Sequence, residues 1–223
     1  KVVESLLATF RTADHDQVCN LIVRLLKEEQ AQAGTVWDAV HLIAGEIVMR
    51  QATIRPVHAV TSANAIHYAF NHSSDRKTRL LLLLQAAGWM CHFIKFISSM
   101  NRPFPEKSID RLQEVEIAGD KQSAIQQIFD QISVDADGAA AGAFTLAKQQ
   151  AIVPSFVSTA RSLIYTKGDE SHRYKFPAAA IEDLKLMTPR WRPHFLAAST
   201  YYMCGSRESD SGIMTRAREV LAE

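Results

Sequence analysis

Glycine and cysteine are scarce in this chain of 223 residues, with nine and three copies. The glycines never gather into a phosphate-cradling loop. There is no GxGxxG, no P-loop and no GxSxG elbow, so a Rossmann dinucleotide site, a P-loop nucleotide site and an α/β-hydrolase serine find no support. Cys19, Cys91 and Cys204 show no CxxC or CxxCH spacing, and an odd count makes a poor disulfide framework. Buried reduced thiols are expected, which favours a reducing, cytoplasmic compartment. A charge excess is missing too. With 25 Lys and Arg against 24 Asp and Glu, the net charge of +1 supplies no global field for nucleic acid or an anionic membrane, and neither is an expected partner. The longest apolar run, from Leu80 to Leu84 and onward, is interrupted by Gln85 and His92 short of a membrane span.

No segment alternates convincingly with the period of a strand, whereas apolar residues recur at helical spacing almost throughout. With 47% hydrophobic residues, the chain has material for a sizeable core. Helices are expected over 2–10 and over 15–32, with Asp14 or Asp16 as N-cap, and over 36–51 with Thr35 as cap. Pro56 opens a helix to about Asn71, and a long apolar helix covers 76–99. Asn101-Arg-Pro-Phe-Pro105 is the clearest break. Beyond it, helices are expected over 108–115, 121–133, 136–150 and from Pro154 to Tyr165. Another covers 171–187, kinked or restarted at Pro177, and the next opens on Thr188 and Pro189. A polar loop from Gly205 to Gly212 precedes a short last helix. The expected fold is all-α: an antiparallel helical bundle or stacked helical hairpins in a single domain over 1–223, with a division into two sub-bundles near 100–106.

Functional candidates are the polar residues set in apolar helices. The stretch Val36 to Val48 is apolar nearly all round, so Asp38, His41 and Glu46 are expected in or beside the core, where they need partners. The stretch Val57 to Phe70 places His58, Thr61 and Ser62 on one face and Asn64 and His67 on the other. Nine residues separate the two histidines, half a turn out of phase, so they cannot chelate one ion from that helix alone. Gln85, Trp89 and His92 share a face of the leucine-rich helix. His172 and Lys175 are neighbours on a helix surface, with Asp169 and Glu170 suited to its N-terminus. Pro189-Arg-Trp-Arg-Pro-His194 is a basic-aromatic turn, able to hold an anion or simply to pack Trp191 between two arginines.

Val40-His-Leu-Ile-Ala-Gly-Glu46, His58-Ala-Val-Thr-Ser62 and Asp169-Glu-Ser-His-Arg-Tyr-Lys175 occur in that order. Together they resemble three segments of the questin oxidase-like proteins, over roughly residues 36 to 185. Ile43-Ala44 departs from the pattern, standing where the family has a Gly-Tyr pair. The resemblance implies a helical oxidoreductase with an NADPH-dependent, Baeyer–Villiger-like activity that opens rings of anthraquinones. Carried over by position, it makes His41, His58, His172 and Lys175 the catalytic candidates.

Three readings follow. In the first, an aromatic or quinone-like small molecule is oxidised in a buried His-lined pocket, with Thr61, Ser62, His67 and Trp89 binding it. In the second, His41, His58, His67 and His172 hold a transition metal or haem, which requires their nitrogens to converge. In the third, the chain is a non-catalytic helical scaffold in which each histidine is packed and satisfied. A homo-oligomer is compatible with all three.

Overall fold

The computed structural model describes residues 1–149 and 154–222. Among these it is all-α, with no strand. The elements are α1 (Val2–Thr12), α2 (His15–Lys27), α3 (Ala33–Arg50), α4 (Ile54–His72), α5 (Arg76–Ser98), α6 (Lys121–Gln131), α7 (Ala136–Gln149), α8 (Pro154–Lys167), α9 (Ser171–Leu186), α10 (Arg192–Thr200) and α11 (Gly212–Ala222). The end of the expected helix at 150 lies outside the described residues.

α3 is the axis of the fold. Every residue from Val36 to Met49 is buried, as an all-round apolar helix requires, and α1, α4, α5 and α10 pack around it. α4 in turn carries α5 and α9. Gly45 lets α10 approach closely: a Cβ there would lie 3.1 Å from that of Ala198 and 3.2 Å from the Phe195 ring. One large hydrophobic cluster runs from Val3 to Met203, so the core is continuous across the break at 100–106. That break is strapped to the end of α3. Gln51 donates to the Pro103 carbonyl, Arg50 donates to that of Pro105, and the Arg50 guanidinium sits 3.6 Å over the Phe104 ring.

Several local expectations change for physical reasons. The helix expected over 108–115 shrinks to a single 3₁₀ turn, Ile109–Arg111. The Ile109 N–H donates to the buried Glu46 carboxylate, which also accepts two hydrogen bonds from Arg11. Arg11 reaches Asp110 as well, so a charge network fixes this loop. Thr35 does not cap α3, whose N-cap is Gln32, whereas Asp14 caps α2 in a reciprocal box with Gln17. α9 runs unbroken through Pro177. Thr188 and Pro189 do not start α10. The Thr188 N–H and hydroxyl both donate to Asp38, 150 residues away, and the helix begins at Arg192 with Pro193 in its first turn.

α5 is less buried than its leucines suggest. An 18-residue window has a mean hydropathy of 1.6, enough by length and composition to cross a membrane, and 33% of it is buried. It packs on α2, α3 and α4, and core helices of water-soluble proteins pass the same test. Trp89 is 45% exposed, and Gln85 and His92 are exposed beside it. This face is therefore a surface stripe.

Candidate functional site

Four of the histidines singled out in the sequence, His41, His58, His67 and His172, form two pairs on the two faces of α4. The first is buried. His41 of α3 and His67 of α4 meet with Nε2 and Nδ1 2.8 Å apart, and they are 1% and 7% exposed. On the other side of the His41 ring, Nδ1 lies 3.3 Å from Oδ2 of Asp183, a fully buried residue of α9. Asp183 accepts through Oδ1 from the Asn64 amide at 2.9 Å. Trp37, one turn before His41, stacks on His67 with ring centres 4.1 Å apart, while Phe70 and Phe195 present ring edges to Trp37 and His41.

Burial sets the protonation of this cluster. It holds the His41 imidazolium well below its ordinary range, aided by repulsion from His67, and pushes His67 down to about 4. Burial pushes the Asp183 carboxyl up to about 8; the Asn64 hydrogen bond opposes this and the charge of Glu182 adds to it. Burial therefore disfavours an ion pair at the Asp183–His41 contact and favours the neutral form of both groups. The contact lacks the alignment of a hydrogen bond, which leaves His41 Nδ1 and Asp183 Oδ2 as facing buried polar atoms without other partners.

One potential ligand atom from each of His41, His67 and Asp183 can be chosen within 4.8 Å of the others. A chelate needs its donors on one side of an ion at about 2.1 Å. His41 instead turns one nitrogen to each neighbour, so a common ion requires its ring to rotate.

The second pair lies at the surface. His58 of α4 is exposed, and its ring stands edge-on to that of the half-buried His172, centres 5.2 Å apart. His172 opens α9, whose N-cap is Glu170. That carboxylate accepts from the backbone N–H groups of His172 and Arg173, and lies 2.5 Å from His172 Nδ1. Burial works to raise the Glu170 pKa and is outweighed by these hydrogen bonds, so it lies below its ordinary value. The Tyr202 hydroxyl stands 3.5 Å from the other carboxylate oxygen. Lys175 is exposed one turn further along α9, and Arg173 is bound to Glu208.

Of the three histidines expected to be catalytic, His58 and His172 thus meet, and His41 joins His67 instead. The four residues expected as metal ligands lie in two places. Thr61 donates along its own helix to the Val57 carbonyl, Ser62 is half-buried beside it, and Trp89 belongs to the exposed stripe of α5. In the basic-aromatic turn, Arg190 pairs with Glu4 and lies over Trp191, while Arg192 donates to the carbonyls of Met187 and Lys185. Asp183 was not singled out in the sequence. It interrupts the apolar stripe Phe176, Ala180, Leu184 and Met187, and a carboxyl in such a stripe is the signal that would have found it. Comparison with family models, with curated proteins and with solved structures finds no match to the chain.

Proposed function

We propose that the chain is an oxidoreductase of the questin oxidase-like type, acting on an aromatic or quinone-like small molecule at the His58–His172 pair. One observation carries this reading: histidines from two separate family-like segments meet ring to ring, with a carboxylate fixing the orientation of one of them. Imidazole suits the task, since it donates to or accepts from a phenolic oxygen and exchanges protons near neutral pH. Glu170 holds Nδ1 of His172 and leaves Nε2 for the ligand, while the exposed Lys175 supplies positive charge to a developing phenolate.

In the reaction the resemblance implies, one atom of dioxygen enters the substrate and the other leaves as water, with a hydride from NADPH and one proton. Arg173 is already bound to Glu208, so the residues around the pair fit a quinone oxygen better than a pyrophosphate. NADPH enters only as the reductant.

The test is turnover of anthraquinones and polyphenols with NADPH and air, read as product gaining one oxygen by mass spectrometry. His58→Ala and His172→Ala are expected to abolish product while melting like the parent. No oxygenated product from any quinone, or full activity in both variants, would sink the reading.

A further inference from the structure

Asp183, His41 and His67 come from three helices, and the chemistry proposed above uses none of them. They form a line, not a ring. His41 is its middle member, with Nε2 2.8 Å from His67 and Nδ1 3.3 Å from Asp183. Asp183 Oδ1 is occupied by Asn64, so Oδ2 and His41 Nδ1 are left facing each other, both enclosed and without another partner. Buried polar atoms are normally paired. A proton on Oδ2 faces the ring nitrogen at 3.3 Å, and a small turn of the carboxyl or the ring aligns it and pairs both atoms at once.

We propose that Asp183, His41 and His67 form a proton relay that stores a proton on the enclosed carboxyl and delivers it to the outer edge of His67. At rest all three groups are neutral. Asp183 carries its proton on Oδ2, His41 on Nε2 and His67 on its own Nε2. In transfer, the Oδ2 proton moves to His41 Nδ1 while the His41 Nε2 proton moves to His67 Nδ1. His41 ends neutral with its tautomer switched, Asp183 ends as a carboxylate and His67 as an imidazolium, so one proton has crossed and charge is conserved.

The surroundings favour the neutral resting state. Trp37, Phe70 and Phe195 cover the rings and bring no charge. On the α9 side the nearby charge is Glu182, exposed, which shares the Asn64 amide with Asp183 and disfavours a second carboxylate there. Asp38, on α3, is turned away to Thr188. Burial raises the carboxyl and lowers both imidazoles, in keeping with this state. His67 keeps a small exposed edge, so the line has one enclosed end and one outlet.

The test uses the full chain, labelled with ¹⁵N and free of added metal, near neutral pH. The relay requires His41 to be protonated on Nε2 and bare on Nδ1, with a strongly deshielded, slowly exchanging imidazole proton between the rings. It also requires an infrared band of a protonated carboxyl that disappears in Asp183→Asn. The asparagine can still accept from Asn64 and donate to His41, so Asp183→Asn keeps the tautomer and loses the transferable proton. Should that variant fail to fold, the parent's tautomer and carboxyl band decide alone. An ionised Asp183 with the His41 proton fixed on Nδ1 overturns the relay. So does stoichiometric binding of added Zn²⁺ that removes the inter-ring proton, because the cluster is then a chelate. Neither result bears on turnover at His58 and His172.

Discussion

His41 and His67 meet under Trp37 in the core, whereas His58 and His172 meet at the surface beside the carboxylate of Glu170. α4 supplies one member of each pair, from opposite faces, so the same residue type on one helix enters two environments. The inner rings sit among aromatic side chains with a buried carboxyl as neighbour, and desolvation holds them neutral. The outer rings have water on one side and a negative charge on the other. A histidine is thus part of the core or an exchangeable site according to what the helix is packed against.

The largest expected contrast is in activity. His172→Ala should lower turnover by about 10²–10⁴-fold, as loss of a positioned acid–base group does. Its thermal midpoint should stay near the parent's, since substitutions away from core features usually stay within about 0.5 kcal/mol. A parallel collapse of stability would show the outer pair to be structural. His41→Ala should do the reverse first, costing about 2–5 kcal/mol in chemical denaturation, because it opens a cavity and strands the Asp183 carboxyl and His67 Nδ1. A neutral result would mean the inner line contributes little to the fold.

Stability against pH sharpens the same contrast. His67 is held at about 4 in the fold against an ordinary 6.5. Between those values the unfolded chain binds a proton that the fold refuses, so stability is fully present above about 6.5 and falls as pH drops through the window. His41 acts in the same sense, as does His194, pushed down to about 4 by burial beside Phe144 and Trp191. Asp183 opposes them. Its carboxyl is raised to about 8, so its contribution is fully present below the unfolded value of 3.8 and is lost as pH rises through about 8. The thermal midpoint should therefore peak near about pH 6.5 and decline above it, and Asp183→Asn should remove the alkaline decline. A profile that keeps rising to pH 8 would show Asp183 ionised in the fold. The smallest effect is expected at Trp89→Gln, on the exposed stripe of α5, with stability changed by no more than about 0.5 kcal/mol and turnover unchanged.

Helix existence and type were legible over most of the described chain, because the 3.6-residue period of apolar side chains is a local property. The all-round burial of α3 followed from its composition, and so did the burial of Asp38, His41 and Glu46. The errors fall where a distant partner outcompetes local preference. Glu46 holds the Ile109 N–H, so a helix expected there stops after one turn. Asp38 captures Thr188, so the apparent cap of α10 serves α3 instead. The leucines of α5 promised a core helix, yet among the described residues the helix is covered by α1, α2, α3 and α4 on part of its surface, with Leu80, Leu81 and Trp89 left exposed.

The sequence by itself determined the all-α class, the buried axis and the segregation of His58 from His67 onto opposite faces of α4, since each depends only on residue type and helical phase. Which histidines meet was decided by tertiary structure alone. α9 crosses α4 so that His172 reaches His58 and Asp183 reaches His41, and that crossing depends on helix packing between residues far apart in the chain, which no local period encodes.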